Sequence, residues 1–257
     1  MKQYIVDAFT NKVFAGNPAA ICIMDNWLDD EIMRKIAIEN NLSETAFVVK
    51  KGENYSLRWF TPAGEIKLCG HATLAAAYIV LRFIEPKLEK VSFDTLSGNI
   101  TVHSNNGMLT MNFPSFILKP IEITNVLIDA IGVKPIEAYM GDDTVLVLEN
   151  EKQVRNVIPN QNIIKKIGGT CLHITAKGDI YDCVTRSFAP KCNVPEDPVC
   201  GRGHCHIVPM WSKKLGKREL IAYQASSRGG VLYCQYDGNR TILTGQAVLF
   251  SVAEIYF

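Results

Sequence analysis

An internal echo constrains this chain more than any other feature. Arg58–Ala72 reads RWFTPAGEIKLCGHA, and Arg186–Gly203 reads RSFAPKCNVPEDPVCGRG. Both carry Arg-x-Phe-x-Pro, a loop holding an acid (Glu65 or Glu196), then Cys-Gly and a small residue two positions later that opens a helix. The second loop is three residues longer. A repeat of this kind marks a duplicated structural unit. The expected fold is α/β (α+β) with two similar domains, residues 1–116 and 117–257, each a sheet around a helix. The chain is expected to cross between the halves near Pro114–Pro120, with the last strand free to cross back.

Alternating and β-branched runs predict strands at Tyr4–Ala8, Ala20–Met24, Ala46–Val49, Ser56–Phe60, Val91–Asp94 and Met108–Asn112. In the second half they fall at Thr144–Leu148, Leu172–Thr175, Tyr181–Ser187, Leu220–Gln224, Val231–Gln235 and Thr241–Ala247. Helices are expected at Asp29–Asn40, Asn125–Ile131 and Gln161–Lys166. His71–Phe83 is apolar nearly all round, which suits a helix enclosed by sheet. Gly203–Leu215 occupies the matching place in the second half, with Pro209 expected to kink it or limit its start.

Lys plus Arg number 27 against 26 Asp plus Glu, a balance that argues against nucleic acid or a membrane surface as partner. The opening apolar run is broken by Asp7 and Asn11, so neither a leader nor a membrane span is expected, and the eight cysteines read as reduced cytoplasmic thiols. A homodimer is the default expectation for a soluble protein.

Two glycine-bearing helix starts offer unpaired N–H groups and a partial positive charge, which suit a carboxylate or an enolate. Donors aimed at such an oxyanion would stabilise proton removal beside a carboxylate without metal or cofactor. Asn17, Gly70, Ala72, Gly201, Arg202 and Gly203 are the residues expected to hold the substrate. The acid and base candidates are Glu44, Cys69, His71, Asp197 and Cys200. Each has an ordinary reading too: a solvated acid at Glu44, a space-filling His71, a dipole-favouring Asp197, packing thiols at Cys69 and Cys200. A cysteine at a helix N-terminus is expected to have a lowered pKa. Arg202 could grip a second carboxylate or simply face solvent. Cys200, His204, Cys205 and His206 invite a metal reading, but three consecutive residues point apart on a helix, so no metal is expected there.

GNPAA (Gly16–Ala20, with Asn17), SETAF (Ser43–Phe47), LCGHATLA (Leu68–Ala75) and EDPVCGRGHC (Glu196–Cys205) resemble the PhzF-like, phenazine-biosynthesis-like proteins over nearly the whole chain. The resemblance implies the diaminopimelate epimerase-like fold, with two curled sheets around central helices and the active site between them. It also implies Glu44 as proton shuttle, with His71 and Asp197 assisting. Cys200 and Arg202 stand where that family usually has threonine and serine. Two mechanisms therefore compete: a Glu44-driven isomerisation of a small carboxylate, which is preferred, and a racemase or epimerase using Cys69 and Cys200. A non-catalytic carboxylate-binding protein is the alternative of another class.

Overall fold

The computed structural model describes residues 1–257. Met1–Asn112 together with Thr244–Phe257 forms one compact unit, and Phe113–Leu243 forms the other. The helices are α1 (Asp30–Asn40), α2 (Gly70–Ile79), α3 (Asn125–Ile131), α4 (Glu151–Asn156), α5 (Gln161–Ile164) and α6 (Gly201–Leu215).

In the first unit, Ala247–Glu254 pairs antiparallel with Lys2–Ala8, and that strand with Asn17–Met24. Asn17–Met24 runs parallel to Thr45–Lys51, whose antiparallel neighbour is Asn54–Thr61. Asn54–Thr61 carries a short offshoot, Gly64–Ile66, and runs parallel to Lys90–Thr95, which Gly98–Asn105 follows antiparallel. Parallel neighbours need a crossover, and α1 and α2 supply the two.

The second unit repeats this order of pairings. Glu137–Met140 and Thr144–Val147 are antiparallel, Thr144–Val147 is parallel to Leu172–Lys177, and that strand is antiparallel to Cys183–Ala189. Cys183–Ala189 has the offshoot Val194–Asp197 and a parallel neighbour, Glu219–Gln224, followed antiparallel by Gly230–Asp237. Here α4 with α5, then α6, make the crossovers.

The repeated arginine and acid do the same job in each unit. Arg58 Nε and Nη2 bond the two Glu65 carboxylate oxygens at 2.7 and 2.6 Å, and Arg186 bonds Glu196 in the same fork at 2.8 and 2.8 Å. Each fork ties the offshoot to the strand before it, which fixes where the following Cys-Gly can start a helix. Each arginine also reaches a helix end: Arg58 meets Asp30 at 2.9 Å, and Arg186 Nη1 donates to the Val157 carbonyl at 2.7 Å beyond α4.

The apolar sequence of α2 is explained by burial on every side, from His71 to Ala77 and at Ile79. It does not continue as an α-helix to Phe83; from Val80 to Ile84 the backbone widens to a π-helix. Pro209 does not limit the start of α6, which begins at Gly201 and continues through the proline to Leu215. A proline leaves the carbonyl four residues earlier without its helical donor. That carbonyl, on Cys205, accepts from the Phe116 N–H at 3.0 Å instead.

The run expected as one strand at Thr241–Ala247 is two strands, Arg240–Gly245 and Ala247–Glu254, split at Gln246. Gly98–Asn105 escapes a reading based on hydrophobicity because only Ile100 and Val102 face inward. Glu137–Met140 and α4 escape because four to six residues carry too little periodicity. No helix is long and apolar enough to cross a membrane.

Candidate active site

Three segments of the first unit converge. Asn17 opens the strand Asn17–Met24, and Glu44 immediately precedes the parallel strand Thr45–Lys51; the Ala20 N–H donates to the Glu44 carbonyl at 3.3 Å. Gly16, before Asn17, has φ +65 and a Cβ there would lie 2.1 Å from the Ala8 carbonyl oxygen, so only glycine lets the chain turn into this strand. The third segment is the start of α2, where Cys69 is the N-cap and His71 the second helical residue.

The Asn17 amide nitrogen lies 3.1 Å from His71 Nδ1. With that amide donating, the ring proton sits on Nε2, which is 3.2 Å from Glu44 Oε2 although not aligned as a hydrogen bond. The Cys69 thiol is 3.5 Å from Nδ1. Burial pushes the His71 pKa down to about 3, so the imidazole is neutral at physiological pH. Glu44 retains some exposure, with 15% of its side chain accessible, while His71 is closed off behind it. The result is a partly exposed Glu44 side chain whose buried Oε2 is backed by the neutral imidazole of His71.

The start of α6 carries the second-unit candidates. Cys200 is the N-cap and its sulfur accepts from the Gly203 N–H at 3.3 Å. Asp197 ends the strand Val194–Asp197, and its carboxylate accepts from the Val199 N–H at 3.2 Å. Gln224, fully buried and without any sequence signal, holds this loop by donating to the Asp197 carbonyl and accepting from the Cys200 N–H, at 3.1 and 3.4 Å.

The lowered thiol pKa expected at Cys200 is reversed. Contact with the Cys171 side chain, burial and the Asp197 charge together hold this thiol well above its ordinary pKa. The helix start is outweighed by desolvation and by neighbours that disfavour a thiolate.

Arg202 is engaged by the chain itself: Nε donates to Asp143 Oδ2 at 2.7 Å, and Nη2 lies 3.5 Å from Asp142. Burial would raise the Asp143 carboxyl, but His173, Arg202 and the Cys171 N–H outweigh it and hold the group well below its ordinary value. The neighbouring histidines His204 and His206 point to different partners. His204 Nδ1 meets the Cys200 carbonyl at 2.7 Å, whereas His206 faces the Arg202 carbonyl and Asp143.

Comparison with known proteins agrees with the family motifs. The PhzC-PhzF family model, described as phenazine biosynthesis-like protein, matches residues 6–253. An uncharacterized isomerase of Pseudomonas aeruginosa is 41% identical over 251 residues, covering 97% of this chain and 96% of the relative. A crystal structure of a PhzF-family protein from Enterococcus faecalis is 44% identical with a TM-score of 0.97, over 100% of this chain and 99% of that one. A probable proline racemase from Agrobacterium radiobacter, 10% identical, shares the fold with a TM-score of 0.68 over 99% of this chain and 92% of its own. The fold is the diaminopimelate epimerase-like one, and the chain is an isomerase that belongs to the PhzC-PhzF, phenazine biosynthesis-like family.

Proposed function

We propose that the protein moves a proton on a small carboxylate-bearing carbon acid without a cofactor, with Glu44 as the shuttle. The observation that carries this is the Glu44–His71–Asn17 constellation at the start of α2. Glu44 takes the proton from carbon and returns it at a second position. Neutral His71, fixed by Asn17, offers its one Nε2 proton to the substrate oxygen that gains charge. The amides of Gly70, His71 and Ala72 favour the substrate carboxylate electrostatically. The raised pKa of Cys200 weighs against a mechanism in which that residue is a thiolate.

Deuterium uptake at carbon, followed by proton NMR in D₂O with amino acids, hydroxyproline isomers and cyclic dienoic acids, tests the reading. A positioned acid or base contributes about 10²–10⁴-fold, so Glu44→Gln should reduce uptake by at least about 10²-fold while Cys200→Ser retains it. The reverse pattern would sink the Glu44 shuttle in favour of the thiol mechanism. Stoichiometric binding of one of these acids with no uptake in the unsubstituted protein would favour a carboxylate-binding protein.

A further inference from the structure

The second unit contains a buried constellation that the Glu44 chemistry does not use. Asp143, His173 and His206 each offer one ligand atom, and these atoms lie within 4.8 Å of one another. All three residues are 0% exposed.

Their orientation is specified from behind. His206 Nδ1 lies 3.0 Å from the Arg202 carbonyl, which can only accept, so Nδ1 carries the proton and Nε2 presents a bare lone pair. That lone pair receives only the Asp143 N–H, at a long 3.3 Å. His173 Nδ1 is held by Ser187 Oγ at 2.9 Å, while its Nε2 faces Asp143 Oδ2 at 3.5 Å. Asp143 Oδ1 is fixed by the Thr170 and Cys171 N–H groups at 2.8 and 3.1 Å, which turns Oδ2 toward the histidines. Two imidazole nitrogens and a carboxylate oxygen, each anchored at its far side, form a ligand set with its outer shell in place.

We propose that Asp143 Oδ2, His173 Nε2 and His206 Nε2 bind one divalent transition-metal ion of the zinc class. Ion–ligand bonds of about 2.0–2.2 Å put neighbouring ligand atoms roughly 3–3.6 Å apart, so the His173–Asp143 pair already fits and the third ligand needs a small shift. Neutral imidazole and carboxylate are the donors that suit such ions. The ion would replace the weak Asp143 N–H contact and tie α6 to the strands Thr144–Val147 and Leu172–Lys177. Arg202, with 40% of its side chain exposed, covers Oδ2 and is the competing cation.

The test uses the full-length, chelator-treated protein dialysed against Zn²⁺, with bound metal measured per chain and Co²⁺ absorption as a second probe. About one ion per chain is expected in the unsubstituted protein, lost in His206→Asn and His173→Gln and kept in Glu44→Gln. Retention in Glu44→Gln separates this site from the Glu44, Cys69 and His71 cluster. Circular dichroism shows which variants remain folded; if His206→Asn does not, His173→Gln carries the test. The Co²⁺ spectrum should lack the near-ultraviolet band of a thiolate ligand. Arg202→Ser should tighten Zn²⁺ binding by about tenfold or more, because a fixed positive charge beside the ion is removed. Under about a tenth of an ion per chain, or equal binding by the folded histidine variants, would overturn the site.

Discussion

The Arg186–Glu196 fork should be one of the larger energetic contributions to the second unit. Its side chains are 11% and 24% exposed, against 38% and 57% for the Arg34–Glu31 pair on α1. The fork supplies two charge-assisted bonds, each worth about 1.5–3 kcal/mol, offset by desolvation and side-chain ordering. A double-mutant cycle with Arg186→Met and Glu196→Gln, read by urea unfolding, should give a coupling energy of about 1–3 kcal/mol. The same cycle at Arg34 and Glu31 should give under about 0.5 kcal/mol, the usual worth of a helical surface pair. Glu196→Gln alone should destabilise by about 2 kcal/mol, since it leaves a mostly buried guanidinium without its counter-charge. Equal coupling at the two sites would refute the idea that the fork fixes the loop ahead of α6.

Further outcomes follow from single residues. A Cβ at Gly203 would lie 2.8 Å from the His173 ring, so Gly203→Ala should cost about 1–3 kcal/mol by urea unfolding; a neutral result would mean that the ring moves freely. Pro209→Ala should gain under about 1 kcal/mol rather than the ~3 kcal/mol typical of removing a helical proline, because the Cys205 carbonyl already has the Phe116 N–H. His71 is held neutral in the folded state down to about pH 3, whereas the unfolded chain binds its proton below about 6.5. Its contribution to stability is thus complete above the unfolded pKa and is lost as pH falls from there toward 3, by up to about 1.4 kcal/mol per pH unit. His71→Asn should remove that slope between pH 7.5 and 5, and unchanged pH dependence would contradict the burial argument.

Much of the architecture was legible because it is written in local spacing. The echo of Arg58–Ala72 in Arg186–Gly203 announces two units, and those units show one order of strand pairings. Cys-Gly opens a helix in both, since glycine and an extended N-cap are local backbone requirements. Glu65 and Glu196 could be read only as acids in loops, because a fork with an arginine 7 or 10 residues away depends on how the offshoot folds back.

The sequence by itself determined the duplication, the enclosed helix α2 and a set of candidates for moving a proton, because these follow from residue type and periodicity along the chain. Tertiary structure decided which of those side chains meet. Asn17 and His71 are 54 positions apart, and Asp143 and His206 are 63 apart; neither spacing carries a signal. Tertiary structure also set the chemistry of single groups: a cysteine at a helix start looks activated in sequence, but burial and the neighbouring Cys171 make Cys200 a reluctant acid. Desolvation and close contact are properties of the assembled core, and no local pattern encodes them.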